Sequence, residues 1–243
     1  ADTYVHGEDT AAPESTPLES AAPEEEEDST PVQDSQNIED PPEDSVPVEE
    51  APEDDCVDTS DLIYVISKDD RTLYLFDPPS LRFTPLTTLS CLTRKSPASM
   101  AISRNGHAFI RYSDDSVFDL NLSTFDCTPT SYSDRRSGFG SFGMGYATDS
   151  SNTWRDTLYI ANSRSLALMN TSTWTVTDLG NIPSQAELTG NANGELWAML
   201  PLESPAELVQ LDKHTGRSVQ TLSLPGFPRA NVIDTFAFAT WNG

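Results

Sequence analysis

Four stretches of this chain repeat one pattern, and that pattern constrains the fold more tightly than anything else in the sequence. TLYLFDPPS ends at Ser80, VFDLNLST at Thr124, LALMNTST at Thr173 and LVQLDKHT at Thr215. Each has an apolar residue four positions before an Asp or Asn (Leu73, Val117, Leu166, Leu208) and another directly before it (Phe76, Leu120, Met169, Leu211). The anchors are Asp77, Asn121, Asn170 and Asp212, followed three residues later by Ser80, Thr124, Thr173 and Thr215; their spacings are 44, 49 and 42 residues. An Asp or Asn side chain accepts hydrogen bonds from backbone two or three residues on, and a following hydroxyl reinforces the turn. A short apolar strand before such a turn and a Thr-rich strand after it make a hairpin.

A second register lies upstream of the first. SMAIS (99–103), GMGYA (143–147), ELTGN (187–191) and TFAFA (235–239) recur at similar intervals, and HAFIRY, TLYIAN and ELWAML follow three of them. Each unit therefore reads as four strands, here a to d from first to last. Helical periodicity is absent, and β-branched and aromatic residues fill the strand cores. Four short antiparallel strands per 40 to 50 residues is the repeat of a β-propeller blade. The expected fold is all-β, a propeller of four-stranded antiparallel blades, over residues 58–243.

TLYIANSRSLALMNTSTWTV resembles the YVTN/NHL-type propeller repeat, in which a Tyr-containing strand precedes a strand ending in Asp or Asn and a Thr. SGFGSFGMGYATDS, with QAELTG, ELWA and QLDKHTG downstream, is similar to secreted and envelope β-propeller proteins of myxobacteria. The resemblance covers about residues 56–243. It implies a propeller in an extracytoplasmic setting and brings no established activity with it.

About four blades are present. The first unit lacks strand a, and the last has only strand a, TFAFATW (235–241). Either TFAFATW completes the first blade and closes a four-bladed ring, or the chain is a truncated five-bladed ring. The second reading is preferred, because the resembling proteins continue beyond this point and an unpaired edge is a liability. Cys91 follows strand d of the first unit and Cys127 lies on strand d of the second. In an oxidising compartment they can pair between blades, closing a loop worth roughly 3–4 kcal/mol in the chain-entropy model. The alternative is three free buried thiols. Cys56 is left without an assigned partner.

Charge separates the body from what precedes it. Residues 1–60 hold 21 of the 39 acidic residues, none of the 14 Lys and Arg, and eight of the 18 prolines. The formal net charge of −25 is thus mostly that of the N-terminal stretch, and the remainder carries only −4. Such a segment cannot bury enough apolar surface to offset backbone ordering. Residues 1–57 are expected to be a disordered acidic tether. As a plain coil, about 60 residues span roughly 40–45 Å, and self-repulsion lengthens this. The Glu24–Asp28 run reads as solvated spacer rather than a calcium buffer. The chain begins with Ala, consistent with a signal peptide already removed or a trimmed start; a lipid anchor preceding Ala1 is left open. Without a basic patch, nucleic-acid binding is excluded. Without a long apolar run, no transmembrane segment is expected.

Chemistry-bearing motifs are few. GxSxG, HExxH and Walker sequences do not occur. His6, His107 and His214 lack an acid at ligand spacing, and the cysteines lack a CxxC pair, so no metal or cofactor is expected. SGFGSFGMGYA (137–147) reads as the link from an outer strand to the central channel, with glycine permitting close packing. Asp69, Asp70, Asp114 and Asp115 read as solvated hairpin turns. Trp154 is not placed on a strand, whereas Trp174, Trp197 and Trp241 read as strand-borne packing residues. The sequons at Asn121 and Asn170 are explained by the turns.

A propeller enzyme needs three or four ionisable ligands at equivalent inner-strand starts. Here those starts are Ser99, Gly143, Glu187 and Thr235, of which only Glu187 is ionisable. The expected function is a non-enzymatic binding or scaffold module, monomeric and displayed at a bacterial cell envelope. Its partner would be a protein or polysaccharide contacting the blade-edge loops. The alternative is a propeller hydrolase or lyase with a metal in the central channel.

Overall fold

The computed structural model describes residues 63–149, 155–191, 193–228 and 237–241. They all belong to the compact unit Glu49–Gly243. The tether, the 57/58 boundary, His6, Cys56, Trp154 and Thr235 lie outside the described residues.

Fifteen strands form four antiparallel sheets among the described residues. The first sheet contains β1 (Ile63–Ile66), β2 (Thr72–Asp77) and β3 (Arg82–Thr88). The second runs β4 (Pro97–Ile102), β5 (His107–Tyr112), β6 (Val117–Asn121) and β7 (Cys127–Pro129). After the four-residue helix α1 (Asp134–Ser137) come β8 (Gly143–Thr148), β9 (Asp156–Ala161), β10 (Ser165–Asn170) and β11 (Thr175–Asn181). The last holds β12 (Glu187–Gly190), β13 (Leu196–Leu200), β14 (Ala206–Leu211) and β15 (Ser218–Leu224). Every strand pairs with its sequence neighbour within its own sheet, and the inner strands β4, β8 and β12 contact one another in turn. The chain is a four-bladed β-propeller.

Its core lies between blades rather than within one. On β5, Ala108 and Ile110 pack toward the first blade with Leu73, while Phe109 between them packs toward the third with Met144 and Leu158. On β9, Leu158 and Ile160 face the second blade, and Tyr159 and Ala161 face the fourth with Leu196 and Val209. A strand buried on both faces must be apolar at consecutive positions, which is why HAFIRY and TLYIA read as nearly unbroken runs. The outer strand β15 is exposed at six of its seven positions. It is correspondingly rich in Ser, Thr and Gln.

Glycine sets how closely the inner strands approach. A Cβ at Gly190 would stand 2.2 Å from the Tyr146 carbonyl oxygen, and one at Gly145 would stand 2.6 Å from that of Leu188. No larger residue allows β8 and β12 to meet at this distance.

The preferred five-bladed reading is corrected. Thr240 donates its N–H to Thr189 Oγ1 (3.4 Å) and its hydroxyl to the Gly190 carbonyl (2.6 Å). Phe238, Ala239 and Thr240 share a cavity with Ile63 and Tyr64 of β1. Residues 237–241 therefore run between the fourth and first blades, where the inner strand of the first blade belongs. They do so without a regular strand ladder.

Candidate axial site

The inner-strand starts meet around the propeller axis. Ser99 of β4 donates its hydroxyl to Glu187 Oε2 of β12 at 3.1 Å, and the same Ser99 oxygen accepts the Met144 N–H of β8, also at 3.1 Å. The second and fourth blades stand opposite each other in a four-bladed ring, so this bond crosses the channel. Gly143 lies against the acceptor: a Cβ there would be 2.8 Å from Glu187 Oε2 and 2.2 Å from the Ala186 carbonyl oxygen. Burial pushes the Glu187 carboxyl up to about 7, against the opposing pull of the Ser99 bond and the Arg111 charge.

Arg111 sits one strand out, directly opposite Ser99 in the β4–β5 register. Only 8% exposed, its guanidinium stacks over Phe142 at 5.4 Å. Nε donates to the Phe142 carbonyl (2.6 Å), and Nη1 donates to the carbonyl of Tyr112 (3.3 Å) and to Asp115 Oδ1 (3.0 Å). Asp115 Oδ1 also accepts the Ser141 N–H at 2.8 Å. Asp115 is therefore more than a solvated turn residue: it ties the β5–β6 hairpin to the link entering β8. Asp70 and Asp114 do serve their own turns, accepting from Thr72 N–H (3.0 Å) and from the Ser116 hydroxyl (2.6 Å).

Further along the inner strands a cavity of about 320 Å³ opens, lined by Tyr64, Met100, Met144, Tyr146, Leu188 and Phe238 among others. Its lining includes Arg104, which pairs with Asp156 at 2.9 Å. Burial raises the Asp156 carboxyl and the Tyr146 phenol above their ordinary values. The channel thus has a mouth barred by a hydroxyl–carboxyl bridge and, further along, a chamber whose lining mixes apolar side chains with Ser103, Arg104, Thr189 and Thr240.

The remaining singled-out residues are dispersed. Asn121 Oδ1 accepts from Ser123 and Thr124 N–H (2.8 and 3.1 Å), Asn170 Oδ1 from Ser172 and Thr173 N–H (both 2.9 Å), and Asp212 Oδ1 from His214 and Thr215 N–H (2.8 and 2.9 Å). Asp77 accepts from the Ser80 hydroxyl. All four close the hairpin between the last two strands of a sheet. Cys91 and Cys127 are joined in a disulfide with a Cα–Cα distance of 4.9 Å, tying the chain after β3 to β7. His107 does have an acidic strand neighbour: its Nδ1 lies 2.8 Å from Asp119 Oδ1 on β6. Trp174 is a turn residue rather than a strand residue, packed edge-on against Phe109 at 5.2 Å. Trp197 lies on β13 and donates to Glu195 Oε2 at 3.0 Å, while Trp241 is 41% exposed. Among the described residues, no three His, Cys, Asp or Glu side chains gather as a metal site would require.

Sequence reasoning marked Ser99 and Glu187 as strand starts and Asp115 as a turn residue, but missed the link that Asp115 makes to Ser141 and missed Arg111 and Lys213. Lys213 donates its ammonium to the carbonyls of Thr148 and Gly194 (2.7 Å to the latter) and of Asp149 (3.3 Å), which pins the third blade to the fourth. A signal for Arg111 was present, since a lone cation inside HAFIRY, an otherwise apolar strand, needs buried partners.

No protein-family model matches the sequence, and no curated protein matches it. Among solved structures, the chain is similar to U3-55K (TM-score 0.41, 10% identity, 67% of this chain and 47% of that one). It is also similar to the RRP9 WD40 repeats (0.41, 11%, 68% and 48%). A third likeness is to a Bacteroides thetaiotaomicron structural genomics protein of unknown function (0.42, 12%, 68% and 40%). The chain spans less than half the length of each. Its own sheet order and blade contacts identify it as a β-propeller.

Proposed function

We propose that this propeller is a non-enzymatic binding module, held at a bacterial cell envelope on the acidic spacer of residues 1–57, with a protein or polysaccharide partner engaging its axial channel. The observation that carries the reading is the channel itself: a polar bridge between Ser99 and Glu187 at one mouth, backed by a chamber of about 320 Å³. Concave spaces that combine apolar walls with fixed polar groups are what small ligands and inserted side chains occupy. The Cys91–Cys127 disulfide supports an oxidising, extracytoplasmic location.

The test uses the whole 243-residue chain, immobilised and exposed to a peptide library and a glycan library. Ala239 lines the cavity and is exposed, so Ala239→Trp fills the chamber at little cost to the core. A subset of the library should be retained, recovered with unchanged mass, and lost on Ala239→Trp. Chemical conversion of the retained molecules, or retention indifferent to that substitution, overturns the reading.

A further inference from the structure

We infer that the Glu187 mouth of the channel recognises an ammonium or guanidinium group, which takes the place of the Ser99 hydroxyl on the Glu187 carboxylate. The inference rests on the binding-module reading and names the chemistry of the group that enters.

Three observations lead there. First, the donor that Glu187 receives from across the channel is a neutral hydroxyl, although a carboxylate offers about four acceptor positions. Charged donors make stronger bonds to a carboxylate than neutral ones do. Second, the described cation whose charge reaches Glu187 makes its hydrogen bonds elsewhere. Arg111 directs Nε to the Phe142 carbonyl and Nη1 to Asp115, so its charge is answered by a different acid. Third, the bridge keeps some exposure among the described residues. Glu187 and Ser99 are only partly buried and Ala98 beside them is exposed. A partly desolvated carboxylate that no cation hydrogen-bonds among the described residues binds an incoming one more strongly than a surface carboxylate does.

Among the described residues, the groups facing Glu187 from the surrounding elements are Ser99 on β4, Gly143 and the Met144 N–H on β8, and Arg111 on β5 with its partner Asp115. A cation needs the ionised carboxyl. Binding should therefore weaken as the pH falls from 8 to 6, the range in which Glu187 takes up its proton.

The test is an amide NMR titration of the full chain at pH 8. The probes are the end-blocked peptides Gly-Gly-Lys-Gly-Gly, Gly-Gly-Arg-Gly-Gly and Gly-Gly-Gln-Gly-Gly, together with n-butylammonium. The Met144 amide, hydrogen-bonded to Ser99, is the local reporter. The Lys and Arg peptides should shift it to saturation and the Gln peptide should not. Glu187→Gln should weaken binding at least about tenfold, a change of about 1.4 kcal/mol. Ser99→Ala, which removes the competing hydroxyl, should tighten it severalfold; circular dichroism confirms that both variants fold. Saturation by the peptides below the n-butylammonium concentration assigns the group to a partner's side chain, and equal concentrations assign it to a free amine. An unmoved Met144 amide, an equal response to the Gln peptide, or undiminished affinity in Glu187→Gln overturns the inference. If that happens while library retention still depends on Ala239, the binding-module reading stands without the cation.

Discussion

Ser99 and Glu187 belong to opposite blades yet share a 3.1 Å hydrogen bond, so two strands 88 residues apart in sequence are joined across the propeller axis. The acceptor is a carboxyl that burial holds at about 7, well above its ordinary 4.5. The folded chain therefore keeps a proton that the unfolded chain releases. Such a group contributes stability that is fully present below about pH 4.5 and is lost as the pH rises through 7.

Stability in urea should accordingly fall between pH 5 and pH 8. The full Glu187 contribution is about 3 kcal/mol, since each tenfold gain in proton affinity on folding is worth about 1.4 kcal/mol. Asp156, also raised by burial, adds in the same direction. Asp70, Asp114, Asp212 and Glu195 are lowered by hydrogen bonds and act below this window, in the opposite sense. Glu187→Gln should flatten the pH 5–8 profile and be the more stable protein at pH 8. An unchanged slope in that variant would remove Glu187 as its source.

The hairpin turns carry a second repeat. Four residues after each anchor, Leu81, Phe125, Trp174 and Gly216 have φ of 53°, 60°, 58° and 69°. Left-handed backbone costs a side-chain-bearing residue about 1–2 kcal/mol and costs glycine little. Leu81 is 77% exposed, so Leu81→Gly should raise stability by about 0.5–1 kcal/mol after the entropy that glycine adds to the unfolded chain. Trp174→Gly should lower it, because the contact with Phe109 is lost. Thermal melts of the two variants should shift in opposite directions.

The blade pattern was legible because each hairpin is local: the Asx anchor, its hydroxyl and the apolar pair all lie within nine residues. Alternation of burial along a strand is local too. What was not legible depends on the ring. Asp115 looks like any turn aspartate until the link at Ser141 is brought to it from 26 residues away. His107 meets Asp119 only through the register of β5 and β6. The place of residues 237–241 follows from the bonds of Thr240 to Thr189 and Gly190 on the fourth blade. Periodicity within the segment carries no information about those partners.

Lys213 shows the same dependence on distant partners. Its ammonium serves three backbone carbonyls contributed by two blades. Lys213→Met keeps much of the stem and removes the donors, leaving partly buried acceptors unsatisfied at about 1–3 kcal/mol. The denaturant midpoint should fall by a corresponding amount. The Thr148 and Gly194 environments should loosen together, read as faster amide exchange in β8 and at the β12–β13 turn. Loss of protection confined to one blade would mean that Lys213 does not join them.

Close approach of the inner strands gives the sharpest steric test. A methyl group at Gly190 would lie 2.2 Å from the Tyr146 oxygen and 2.8 Å from the Ala147 Cα, both in the backbone of β8. Neither atom can rotate away, so β12 must move outward by about an ångström and disturb the Leu188 packing shared with Ala147. Overpacking of this kind costs about 1–3 kcal/mol, and more where backbone is the obstacle. Gly190→Ala should therefore lose at least about 3 kcal/mol or fail to accumulate as folded protein. Gly226→Ala is the matched control. A Cβ there meets nothing within 4 Å and the residue lies outside the left-handed region, so stability should stay within about 0.5 kcal/mol. Equal stability of the two variants would mean that β8 and β12 are not held at the separation described.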